Sequence, residues 1–177
     1  MLRFLALIAV ASLCGLAQTA SVSAGPKPTL PCKLKASKAY PGDDAPRKEI
    51  AEWMARAAAR AGLPPELPVM ASLVESGLTN LPSGDADSAG FFQMRISVWN
   101  TGPYAGFPDD PELQLKWFVD QALLVMRQRL ADGISLEQLL GDPQRWGEWI
   151  ADVERPAEAD RGRYQLRLEE ARSLMCG

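Results

Sequence analysis

Val69-Met70-Ala71-Ser72-Leu73-Val74-Glu75-Ser76-Gly77, followed after a gap by Asp85-Ala86-Asp87-Ser88-Ala89-Gly90-Phe91-Phe92-Gln93-Met94, is the stretch on which the reading of this 177-residue chain turns. Its first half sets one carboxylate among apolar residues at what reads as the last turn of a helix, because Gly77 suits the position just past a helix end. Its second half is a polar, glycine-containing turn that runs straight into two aromatics and an amide. A carboxyl with apolar neighbours favours its neutral form, which is what a general acid needs near neutral pH. Glu75 is therefore the candidate catalytic group. The alternative is a solvated helix-end carboxylate, a placement the helix dipole opposes.

Working outward, Glu66 to Ser76 reads as a helix with Leu67, Met70, Leu73 and Val74 facing inward, and Pro68 is tolerated because it falls in the first turn. Upstream, Ile50, Met54, Ala57 and Ala61 recur at helical spacing between an N-cap at Asp44 and a stop at Gly62. Downstream, Leu78 to Ala89 has loop composition, Phe92 to Asn100 is a short helix or extended piece, and Thr101 to Pro108 is a loop whose Tyr104 and Phe107 offer aromatic surface. Asp110-Pro111-Glu112 opens a helix that runs to about Leu130, with Leu113, Trp117, Ala122, Leu124 and Val125 as its stripe. Ser135 with Gln138 forms a capping box for a short helix through Leu140, and Asp142-Pro143 begins another that carries Trp146, Trp149, Ile150 and Val153. A last helix, Ala159 to Met175, lines up Tyr164, Leu168, Ala171 and Met175. No run alternates long enough for a confident strand, so the class is mainly α, with a small hairpin in the Asn80 to Gly90 loop.

Composition narrows the chemistry. At 47% hydrophobic and 23% charged, the chain suits one globular domain. It contains no histidine, which excludes Ser-His-Asp and Cys-His catalysis and any zinc site built on imidazole. Carboxylates inherit the work. A net charge of −3 gives no sign of nucleic acid, whose binding calls for a basic patch; the lysines at 27, 33, 35 and 38 make the arm locally basic and read as a solvated tether. Met1 to Ala24 reads as a secretory signal, with Arg3 ahead of an apolar run too short for the ~20 residues that span a bilayer; the alternative is an uncleaved anchor. The expected organisation is a signal over 1–24, an irregular arm over 25–46 and a folded domain over 47–177. The expected product is a secreted monomer, in the periplasm, cell wall or medium, with no membrane contact once the signal is removed. Cys32 and Cys176 then remain as an even pair, which in an exported chain suggests a disulfide worth about 5 kcal/mol in the chain-entropy model. Two free thiols are the alternative.

Glu75-Ser76-Gly77, the loop, Ser88, and then Gly90-Phe91-Phe92-Gln93-Met94, with 18 residues from Glu75 to Gln93, resembles the lysozyme-like fold of soluble lytic transglycosylases and goose-type lysozymes. The resemblance, extended over about Arg47 to Met175, implies a helical enzyme that cleaves peptidoglycan strands at the β-1,4 bond between N-acetylmuramic acid and N-acetylglucosamine, without metal or other cofactor. Glu75 would protonate the glycosidic oxygen and later act as base. The substrate's own N-acetyl group would do the work of a second carboxylate, and the product would carry a 1,6-anhydro end. Ser76 and Gln93 would orient Glu75 or the sugar, and Ser88 and Met94 would line the cleft. Trp99 and Tyr104 are candidates for stacking on a sugar face. In the hydrolytic alternative, Asp85 or Asp87 would hold a water opposite Glu75, as in goose-type lysozymes; a wall-binding module without turnover is a third class. The chain departs from the transglycosylase pattern in lacking a late Ala-Tyr-Asn tripeptide. Val153-Glu154-Arg155-Pro156-Ala157, followed by Asp160 and Tyr164, looks like the substitute of some phage and actinobacterial relatives, where Gln stands at the Glu154 position. By that likeness Glu154 and Tyr164 are expected near the site.

Overall fold

Every residue from Glu66 to Leu73 is buried, and this all-round burial makes α2 (Glu66–Glu75) the centre of the fold. Val69 and Ala71 add apolar surface to the faces beside Leu67, Met70 and Leu73, and the two buried polar residues have partners: Glu66 pairs with Arg172 at 3.3 Å and the Ser72 hydroxyl lies 3.2 Å from that of Ser76. Burying each large apolar side chain there stabilises the fold by roughly 1.5–3 kcal/mol. Val74, expected to face inward, is only half-buried, because the helix is already emerging from the core. The computed structural model describes residues 39–176; the expected signal over 1–24, most of the 25–46 arm and Cys32 lie outside the described residues. Cys176 is disulfide-bonded.

Around α2 lie α1 (Arg47–Arg60), α6 (Trp146–Glu154) and α7 (Leu168–Cys176), with α4 (Pro111–Ala131) touching α1, α2 and α6. Trp53 and Met54 of α1, Phe118 of α4, Trp149 and Ile150 of α6, and Ala171 of α7 supply the surrounding core. The structure is mainly helical, with one two-stranded antiparallel sheet among the described residues. No helix among them is long and apolar enough to cross a membrane.

The local signals for helix starts are obeyed at α4, where the Asp110 carboxylate accepts from Glu112 N–H at 2.9 Å and Pro111 occupies the first turn. They are obeyed again at α5 (Leu136–Gly141), whose Ser135–Gln138 capping box is closed in both directions at 2.9 and 3.1 Å. At α1 the expectation is corrected. The helix starts at Arg47, behind Pro46 and three residues after Asp44, with no side-chain cap.

Three further expectations are revised. The hairpin lies later than the Asn80 to Gly90 loop: β1 (Ser88–Ala89) pairs with β2 (Met94–Arg95) through Gly90 to Gln93, and the chain then enters α3 (Ile96–Trp99). The single helix over Ala159 to Met175 is instead two 3-10 turns, Glu158–Arg163 and Gln165–Arg167, followed by α7. Tyr164, Leu168, Ala171 and Met175 are all buried as the periodicity demanded, but Tyr164 and Gln165 have partners on α2 and α6 that the tighter turns satisfy. The Thr101 to Pro108 loop presents no aromatic surface from Tyr104 or Phe107, since both rings are buried.

One buried amide fastens the loops to the helices. Gln114 of α4 is wholly buried; its Oε1 accepts Phe91 N–H at 2.8 Å, and its Nε2 donates to Asn80 Oδ1 at 3.0 Å and to Phe107 C=O at 3.1 Å. Gly90 makes room for it: at φ +82° it is left-handed, and a Cβ there would stand 2.3 Å from Gln114 Oε1.

Candidate active site

Two helices end at the same place with the same kind of side chain. Glu75 is the last residue of α2 and Glu154 the last of α6, and neither helix carries a basic residue in its last turn. Both carboxyls therefore sit at the negative end of a helix dipole, which favours their protonated forms.

Glu75 is half-buried on the wall of an open cleft of about 450 Å³, which Asp85, Ser88, Gln93, Asp160, Arg163 and Tyr164 also line. Burial raises its affinity for the proton; the Tyr164 hydroxyl and Arg163 partly offset this, and Asp160 adds to it. The Tyr164 O–H donates to Glu75 Oε1 at 2.5 Å. The phenol is itself buried, and burial together with the Glu75 bond pushes its pKa far above the ordinary tyrosine range. Tyr164 is thus a hydrogen-bond donor at every working pH.

The other residues expected at the site divide into two groups. Ser88 and Gln93 line the cleft with Glu75. Gln93 makes no bond to Glu75: its Nε2 donates to Gly90 C=O at 3.0 Å, and its amide lies against Gly84, where a Cβ would come within 1.6 Å of Oε1. Its backbone is left-handed at φ +45°, an uncommon conformation for a non-glycine residue and one that concentrates at functional sites. Ser76 does not line the cleft; its Oγ donates to Phe91 C=O at 2.9 Å, which ties the end of α2 to the hairpin. Met94 is buried in the wall of a second pocket, of about 180 Å³, which shares Gln93 with the cleft and includes Phe92, Trp99, Trp117 and Glu154. Tyr104 lies away from both, edge-on to Trp99 with its hydroxyl 3.0 Å from Asp120, so its burial leaves no face for a sugar.

The structure also separates the two aspartates. Asp87 is engaged by the Arg95 guanidinium and accepts Ser97 N–H at 2.7 Å, so Ser97 and Arg95 hold its carboxyl well below the usual range. It serves the turn into α3 and is absent from the cleft wall. Asp85 is exposed on that wall, with one oxygen accepting Ala86 N–H at 2.9 Å. Of the pair, only Asp85 can hold a water in the cleft. Arg163, which the sequence reading passed over, pairs with Asp160 at 3.4 Å on the rim. Its only sequence signal is adjacency to Tyr164.

Glu154 is the unusual group. Part of the residue reaches the surface, but Oε1 is sealed from solvent and finds no hydrogen-bond partner among the described residues. Burial, reinforced by the Glu75 charge, lifts its proton affinity well above that of an ordinary carboxyl. A raised folded-state pKa contributes stability that is complete below the unfolded carboxylate range, about 4.3, and is lost as pH rises toward the folded value. Glu154→Gln removes this titration. Urea denaturation at pH 4 and pH 8 should show the variant gaining on the wild type at the higher pH; parallel stability curves would contradict the neutral-acid assignment.

No group of three or more acidic or cysteine side chains gathers as a metal site among the described residues. Compared with known proteins, the chain matches no family model, no curated protein and no solved structure.

What the cleft can do chemically follows from its own groups. It offers one carboxyl whose burial favours the protonated form, a permanent donor that fixes one oxygen of that carboxyl, and an open cleft lined mostly by polar side chains. Asp85 supplies a second acceptor at solvent depth.

Proposed function

We propose that the protein is a lysozyme-like enzyme that cleaves the glycan strand of peptidoglycan, acting as a lytic transglycosylase at the β-1,4 bond between N-acetylmuramic acid and N-acetylglucosamine. The observation that carries the reading is Glu75 itself: half-buried at the end of the central helix, open to a cleft, disposed by burial to keep its proton, and held through Oε1 by Tyr164. The remaining oxygen is the one free to address a glycosidic oxygen. Glu75 gives its proton to the leaving sugar as the C1–O bond breaks, and the substrate's N-acetyl oxygen stabilises the cationic carbon. The Glu75 carboxylate, stabilised by Tyr164, then takes the proton of the C6 hydroxyl as that oxygen closes on C1. Protons balance, no water is consumed, and the product ends in a 1,6-anhydro ring.

A hydrolytic variant is favoured by one specific observation, the exposed Asp85 on the cleft wall, which can orient a water toward C1. The products separate the two. Digestion of purified peptidoglycan followed by mass analysis should give anhydro ends, 18 mass units lighter than the hydrolysis product. Reducing ends, lost in Asp85→Asn, would instead establish the hydrolase, and intact glycan after prolonged digestion would reduce the protein to a wall-binding module.

A further inference from the structure

The segment that brings Tyr164 to Glu75 is fastened to α6 on both sides of Tyr164. Upstream, Arg161 Nη2 lies 2.6 Å from Asp152 Oδ1, an ion pair with each side chain about a third exposed, so solvent weakens it. Downstream, the fastening is a neutral side chain with both ends engaged: Gly147 N–H donates to Gln165 Oε1 at 2.8 Å, and Gln165 Nε2 donates to Pro143 C=O at 3.0 Å. Gly147 is the second residue of α6, and Arg145 at the N-cap provides no side-chain bond, so Gln165 satisfies a donor that the helix start leaves open. The approach requires glycine. A Cβ at position 147 would stand 2.6 Å from the Gln165 backbone nitrogen.

We propose that Gln165, seated on Gly147 and Pro143, is the positioning residue that holds Tyr164 against Glu75 and thereby governs how the candidate acid binds its proton. Gln165 adjoins Tyr164 in the chain, so the turn cannot rotate the phenol away from Glu75 without breaking two hydrogen bonds and uncapping α6. The inference rests on Glu75 being the acid of the proposed reaction, but its central measurement does not.

That measurement is the NMR titration of the Glu75 side-chain carboxyl, assigned by its disappearance in Glu75→Gln. It is made on the wild type, Tyr164→Phe, Gln165→Leu, Gly147→Ala and the double variant Tyr164→Phe/Gln165→Leu. The charged and titratable groups around Glu75 are Tyr164, Arg163 and Asp160 from the turns, Asp85 from the loop and Glu154 from α6. Gln165→Leu alters none of them directly. Tyr164→Phe removes a donor that favours the carboxylate, so the Glu75 midpoint moves up. Gln165→Leu and Gly147→Ala should move it in the same direction, and the double variant no further than Tyr164→Phe alone. Glycan release by Gln165→Leu should fall about tenfold in kcat with KM little changed. A midpoint left at the wild-type value by Gln165→Leu, or a shift that adds in full to that of Tyr164→Phe, overturns the proposal. A wild type that cleaves no glycan would sink the proposed function and still leave the titration readable.

Discussion

Glu75→Gln should lower glycan-strand release by roughly 10³-fold, within the range a single general acid–base group supplies. The substitution is close to isosteric, and the Gln Oε1 still accepts the Tyr164 hydroxyl that now lies 2.5 Å from Glu75, so the cleft keeps its shape. What disappears is the transferable proton. Retained binding to insoluble peptidoglycan together with lost release would place the defect in the chemical step. The wild-type profile carries a sign of its own. Burial raises the proton affinity of Glu75, so the acid form persists above the ordinary carboxylate range, and activity falls as pH rises through the Glu75 titration. A variant that releases muropeptides as fast as the wild type would remove Glu75 from the mechanism.

Gln114→Ala should be the most damaging single change to the fold near the site. It strips partners from the Phe91 N–H and the Phe107 C=O inside the protein and from Asn80 at its margin, and it leaves a gap where Gln114 is wholly buried. Each buried group left unpaired costs about 1–3 kcal/mol, so a loss of at least about 3 kcal/mol is expected in urea denaturation, or roughly 10 °C in Tm. Release should weaken as well, because Phe91 and Gly90 are the turn that presents Gln93 to the cleft. A loss below about 1 kcal/mol would mean that the loop is held by other contacts.

What was legible in the sequence was local. The Asp110-Pro111 start, the Ser135–Gln138 box and the apolar run through α2 each act within a few residues, so their spacing states the outcome before any tertiary contact forms. Glu75 could be singled out for the same reason, as a carboxylate closing an apolar helix just ahead of Ser76 and Gly77. The misread elements have two causes. Asp44 yields the start of α1 to its near neighbour Pro46, a local competition, whereas the periodic run over Ala159 to Met175 breaks into 3-10 turns because distant partners on α2 and α6 hold Tyr164 and Gln165. Asp85 and Asp87 look equivalent in the chain; only the engagement of Asp87 by Arg95 and Ser97 distinguishes them.

The amino-acid order alone determined a mainly helical class, a chain without imidazole, and Glu75 as the group to examine. A likeness of motif pointed Tyr164 and Glu154 toward the site, but only tertiary structure decided that the Tyr164 hydroxyl, 89 residues away, would meet Glu75 Oε1, that Glu154 Oε1 would be sealed within reach of the Glu75 charge, and that Gln165 would tie the turn to α6. The physical reason is that a proton's affinity for a carboxyl depends on burial and on donors a few ångströms away, and those distances exist only once the helices have packed.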